Sequence, residues 1–151
     1  MIIDKNTEGV TFNGAYYEII GDLCADYLDI KIPLNVSGKI EAGTWIEAGN
    51  GIKAGDGIKA GGGIKAGGGI VGIVKKAFGI KTSFFTRIES RWEIYILSTH
   101  IKIGCQLQPI EKLRKLSDEE INEMDKDALS WWNQNKSWVL AITDNIQLLN
   151  T

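Results

Sequence analysis

Ile40-Glu41-Ala42-Gly43, Ile46-Glu47-Ala48-Gly49, Ile52-Lys53-Ala54-Gly55, Ile58-Lys59-Ala60-Gly61 and Ile64-Lys65-Ala66-Gly67 state one six-residue unit five times in succession, and Ile70 opens a sixth. In an extended chain alternate side chains share a face, so each isoleucine and the alanine two positions later point into a common interior. After each glycine come pairs such as Asn50-Gly51, Asp56-Gly57, Gly62-Gly63 or Gly68-Gly69, which adopt positive backbone angles readily and bend the chain. Each hexad therefore reads as a short strand and a corner. Repeated corners wind the chain into a parallel coil whose turns lie about 4.8 Å apart, with isoleucines stacked in interior columns.

The spacing from Gly38 to Gly72 resembles that of the hexapeptide-repeat β-helix proteins, whose solenoid is left-handed and three-sided with three hexads per turn. That family's usual motif puts its small residue four positions after the aliphatic one, whereas here it comes two after. With three hexads per turn, residues eighteen apart stack, so Glu41 meets Lys59, Glu47 meets Lys65 and Lys53 meets Val71. No lysine of the repeat then sits on another, and two columns gain opposite charges. A four-sided coil would lose both pairings.

Six hexads make two such turns, and solenoid ends need covering because they expose apolar interior and unpaired strand edges. Upstream, Leu28, Ile30, Ile32, Leu34 and Val36 alternate with other residues as a single strand would, with Pro33 marking an edge. Downstream, the repeat is lost over Ile70 to Ile80, and strands are expected around Phe84 to Ile88 and from Trp92 to Ile103. Ser117 and Glu120 form a capping-box pattern ahead of an apolar stripe at Ile121, Met124, Ala128, Leu129 and Trp132. A second helix carries Trp138, Ile142, Ile146 and Leu149 on one side, and the surface expected to bury both stripes is the coil. The fold class is thus mainly β with C-terminal α, in a single domain over 1–151. N-terminal strands (1–37) lead into a left-handed, three-sided parallel β-helix (38–73), followed by strands (80–106) and a helical cap (109–150).

The 151 residues carry a net charge of only -2, which gives no global field toward nucleic acid or an anionic membrane. The charge is zoned. Residues 38–82 hold seven lysines against Glu41, Glu47 and Asp56, between two acidic flanks. The N-terminal residues lack a secretory pattern, and no window nears a membrane span, so a cytoplasmic protein without a membrane partner is expected. Cys24 and Cys105 have neither CxxC nor metal-ligand spacing, and are read as buried free thiols.

His100 is the only histidine. Its odd separation from Cys105 would send the two side chains to opposite faces of one strand, against a nucleophile–base pair, so no catalytic residue, metal site or cofactor is assigned. No GxxxxGK[ST] pattern occurs among the glycines. The three-sided geometry sends Lys53, Lys59 and Lys65 to three different faces, which argues against direct nucleic-acid contact. Arg87, Glu89, Arg91 and Glu93 alternate along a presumed strand and give it a charged outer face. Arginine and tryptophan are enriched at binding hot spots, so Arg87, Arg91 and Trp131, with Lys75 and Lys76 of the basic zone, are the candidate partner-binding residues. In the pair Trp131-Trp132, Trp132 is expected to be buried and Trp131 the more exposed.

The string from His100 through Lys136, including Ile103-Gly104-Cys105 and Trp131 to Lys136, resembles a segment of small uncharacterised bacterial and phage proteins. That resemblance implies a mobile-element context. The expected function is non-enzymatic: binding a host protein or ribonucleoprotein complex, as an anti-CRISPR does, and blocking it by steric occlusion in the bacterial cytoplasm. Two alternatives come from the coil. One is a self-associating structural protein similar to bactofilins, a homo-oligomer. The other is a trimeric hexapeptide acyltransferase, for which the repeat supplies no histidine base.

Overall fold

The computed structural model describes residues 1–149, with side chains through residue 147. The chain packs as two compact units, Met1–Ser83 and Phe84–Thr151. The first is a three-sided parallel coil. It opens with β1 (Ile2–Ile3) and a hairpin of β2 (Val10–Phe12) and β3 (Tyr17–Ile19). The first full turn is β4 (Leu23–Ala25), β5 (Leu28–Ile30) and β6 (Leu34–Val36). The second is β7 (Lys39–Ala42), β8 (Ile46–Ala48) and β9 (Ile52–Ala54), and the third β10 (Gly57–Ala60), β11 (Ile64–Ala66) and β12 (Ile70–Val71). A last strand pair, β13 (Val74–Ala77) and β14 (Ile80–Lys81), closes the unit as an antiparallel hairpin.

The eighteen-residue register holds through the repeat. Glu41 faces Lys59, Glu47 faces Lys65 and Lys53 faces Val71 on adjacent strands. Ile40, Ile46, Ile52, Ile58 and Ile64 are buried with their following alanines, except that Ala66 is half-buried. Lys53, Lys59 and Lys65 leave from three different sheets.

The coil is a full turn longer than the hexads alone imply. Leu23, Leu28 and Leu34 stand in register with Ile40, Ile46 and Ile52. They are the same unit with leucine for isoleucine, and Ile30 and Val36 fill the alanine position of two of them. What reads as one alternating strand from Leu28 to Val36 is therefore two strands on different faces. The chain bends at Ile32, and Pro33 sits at that corner, not on a sheet edge. At the other end Phe78 and Gly79 both have positive φ, 52° and 74°, the twist a two-residue hairpin turn requires. The Phe78 ring meets Trp45 edge-on at 5.9 Å, which offsets the strain of a left-handed aromatic residue.

The second unit is an antiparallel meander of β15 (Phe85–Glu89), β16 (Glu93–Leu97), β17 (His100–Ile103) and β18 (Gln106–Pro109), followed by α1 (Ile110–Leu113), α2 (Asp118–Met124) and α3 (Ala128–Leu149). The expected strand from Trp92 to Ile103 is two strands, broken at Ser98 and Thr99. The capping box forms as the sequence pattern requires: Glu120 N–H donates to Ser117 Oγ at 3.2 Å, and Ser117 N–H donates to Glu120 Oε2 at 2.8 Å. The helix it opens is short. Asp125 adopts an extended backbone, and its Oδ1 accepts from Asp127 N–H at 2.9 Å, turning the chain into a single long helix that carries both Trp131-Trp132 and Trp138.

The apolar stripe of α3 buries on the sheet of its own unit, in place of the coil surface expected for it. Val139 and Ile146 pack with Ile94, Ile96, Ile101, Ile110 and Leu113 in one core. Leu149, the last residue of the expected stripe, has its side chain outside the described residues.

Candidate functional site

The five residues proposed from sequence fall on both units, three on the second and two on the coil. In the second unit, Glu89 and Glu93 are direct cross-strand partners, a like-charge pair that would weaken the sheet if left alone. Arg87 relieves it, donating to Glu89 at 2.7 Å and to Glu93 at 2.9 Å. Those bonds raise the guanidinium pKa still further, the Glu93 bond most strongly. With its side chain only 17% exposed, Arg87 is fixed within the sheet.

Arg91 lies elsewhere. The charged alternation from Arg87 to Glu93 is not one strand, because Ser90, Arg91 and Trp92 form the β15–β16 turn. Arg91 is 57% exposed, pairs with Asp127 at 2.6 Å and sits 5.2 Å from the Trp92 ring centre.

Trp92 leads into an aromatic chain. Trp131 meets Trp92 edge-on at 5.5 Å and Trp138 at 6.4 Å, and its indole N–H donates to Ser90 Oγ at 3.3 Å. Trp131 and Trp132 are both half-buried, so the expected division into one buried and one exposed ring does not occur. The reason is a groove of about 210 Å³ between the sheet and the helices, which both rings line. Its walls include Ile103, Leu116, Ile121 and Met124, with Gln106, Gln108 and Asp125 as polar members. Cys105 also lines it.

Both cysteines are free and exposed, contrary to the expectation of buried thiols. Cys24 is the middle residue of a coil strand whose neighbours point inward, and Cys105 occupies the β17–β18 turn. His100 lies in β17, where Nδ1 is 2.8 Å from Thr99 Oγ1. Among the described residues, no group of three His, Cys, Asp or Glu side chains is placed to hold a metal ion. Among the described residues, no helix is long and apolar enough to cross a membrane.

On the coil, Lys75 and Lys76 belong to β13 and line a second concavity with Lys59, Lys81 and Glu41. The Lys39 ammonium, 3.0 Å from Glu41 Oε2, holds that carboxyl below its usual range.

Sequence reasoning found Arg91 and Trp131 but missed that Trp92, Trp132 and Cys105 line one groove with Trp131, with Arg91 outside that lining. Helical spacing from Ile121 to Trp132 hid it, because that stripe spans two helices with a break between them. A signal was present in Asp125-Lys126-Asp127, whose aspartates favour a turn over a helix interior. Comparison with known protein families, with curated proteins and with solved structures gives no match to this chain.

Proposed function

We propose that the chain is a non-enzymatic binding module whose second unit captures an apolar segment of a partner protein, with the coil as a stiff scaffold. One observation carries this reading: three tryptophans, Trp92, Trp131 and Trp132, line a preformed apolar groove beside the exposed Arg91. Tryptophan and arginine are enriched among the few residues that dominate binding energy at protein interfaces, which cluster in well-packed sites that exclude water. The finer form of the proposal is that the partner is a host component, such as a bacterial defence complex, blocked by occlusion in the cytoplasm. That form rests on the sequence resemblance of the His100 to Lys136 string to small bacterial and phage proteins alone, since the comparisons with known proteins give no match.

A tagged pull-down from bacterial lysate, comparing the natural chain with Trp131→Ala and Arg91→Glu, tests it. Both variants should recover at least about tenfold less of any specific partner, the range expected for hot-spot truncation. Arg91→Glu should leave folding nearly unchanged, since exposed ion pairs contribute only about 0–1 kcal/mol. Recovery by both variants equal to that of the natural chain would remove the groove from the binding surface.

A second reading, self-association through coil ends, is favoured by one specific feature. Strand β4 ends its sheet, and Ile20, just before it, is 77% exposed. Sedimentation across a concentration series separates the two, because open-ended stacking gives species that grow with concentration and a monomeric binder does not.

A further inference from the structure

The basic side of the coil departs from regular strand geometry. On the sheet ordered β4, β7, β10, β13, β14, the outward column runs Cys24, Glu41, Lys59, Lys76, Lys81, each the register partner of the next. A regular strand with Val74 inward would turn Lys76 inward too. Instead the register shifts between Ile58 and Lys59. The extra residue leaves Val74 and Ala77 buried and puts both Lys75 and Lys76 outside, which is how a bulge re-aims a side chain.

Lys75 is also positioned. A Cβ on Gly57 would come within 2.8 Å of Lys75 Cε, so the lysine stem crosses the bare glycine, and Nζ donates to the Asp56 carbonyl at 2.8 Å. Glu41 is the only acid lining the concavity, and it is taken by Lys39. Lys59, Lys76 and Lys81 therefore stand on successive strands, about 4.8 Å apart. Like charges on neighbouring strands repel. The concavity beneath them holds about 460 Å³, and its floor is Ala42, Gly43, Ala60 and Gly61, where no side chain exceeds a methyl group.

We propose that this lysine-lined concavity binds a compact anion made of linked phosphates, either inorganic polyphosphate or the phosphate chain of a nucleotide. Several point-charge ammonium groups converging on a small volume match several negative charges on adjacent phosphates. A single-stranded nucleic acid needs a long basic track with aromatic platforms, and the outward column of this sheet has no aromatic residue.

Calorimetry on the full chain with inorganic tripolyphosphate at low salt is the test. Binding is expected, weakening at least about tenfold on raising salt to physiological strength and above, as screening requires. Lys59→Gln with Lys76→Gln should weaken it at least about tenfold, while Lys53→Gln with Lys65→Gln, on the other two faces, should leave it unchanged. If the first pair does not fold, Lys81→Gln on the terminal strand carries the same comparison. Equal affinity for adenosine triphosphate would show that the phosphate chain alone is read, and tighter binding that a nucleotide is the source. No binding, binding unchanged in the ladder variants, or tighter binding of an oligothymidylate of equal charge would overturn the proposal.

Discussion

In Met1–Ser83 a buried aliphatic residue rests on its counterpart one turn away, as Ile40 rests on Ile58 and Ile46 on Ile64. In Phe84–Thr151 the buried Ile94 and Ile101 pack with Val139 and Ile146 of a helix that arrives much later in the chain. The difference lies in how often each contact is specified. The coil states one contact repeatedly, so each turn depends on its immediate neighbours and the register is fixed many times over. The second unit states each contact once, and its surface can depart from regularity without disturbing a repeat. That freedom is where the groove of Trp92, Trp131 and Trp132 is found.

The largest expected effect tests whether the two units are separate at all. Ile58 is fully buried between Ile40 and Val74, and Ile58→Asp would place a carboxylate there without a partner. The cost is on the order of 5 kcal/mol, enough to unfold a domain of ordinary stability. Circular dichroism should show loss of the coil. The tryptophan emission of the second unit, which holds four of the five tryptophans, should stay native. Collapse of both signals together would make the chain one cooperative fold and break the comparison.

A smaller effect probes the repeat from within. Gly61 and Gly49 hold the same place in their hexads, yet a Cβ at Gly61 would stand 2.0 Å from the Gly43 carbonyl oxygen, and at Gly49 it would meet nothing within 4 Å. The clash involves backbone of the neighbouring turn, which no rotamer change can relieve. Gly61→Ala should cost about 3 kcal/mol, and Gly49→Ala should stay within about 0.5 kcal/mol. Urea midpoints of the two variants decide it. Equal effects would mean that turn spacing adapts locally and that the coil is less rigid than its repetition implies.

The hexads made the coil legible because each position carries one chemical demand. Legibility stopped where the demand was met by another residue type. Leu28 and Leu34 serve as isoleucines, with Ile30 and Val36 in the alanine place, and so passed for part of a longer strand. The bulge that exposes Lys75 and Lys76 was illegible for a different reason: a strand of alternating period carries no mark of the residue at which its phase slips. In the second unit the capping box at Ser117 was readable from four residues, but the break at Asp125 depends on a side chain choosing a turn over the helix. Arg87 and Arg91 looked equivalent in sequence, and only the position of the β15–β16 turn separates a sheet-bound guanidinium from an exposed one.

The smallest effect places one tyrosine of each unit side by side. The phenols of Tyr27 in the coil and Tyr95 in the sheet are both pushed up to about 12 from an ordinary 10.0, for different reasons. Tyr27 is partly exposed, and the leading cause is the hydrogen bond it donates to Glu47 Oε2 at 2.6 Å. Tyr95 is 1% exposed, and the leading cause is burial, followed by the bond it donates to Glu93 at 2.8 Å. Because the folded pKa lies above the unfolded one, the stability each phenol adds is full below pH 10 and is lost as pH rises through about 12. Glu47→Gln should return Tyr27 toward its ordinary value with the coil intact, whereas Tyr95 should ionise only as its sheet opens. Tyrosinate absorbance followed alongside circular dichroism separates these events. If the Tyr95 signal rose before any loss of sheet, its hydroxyl would be open to water, and the second unit would be as loosely closed at its sheet as it is at its groove.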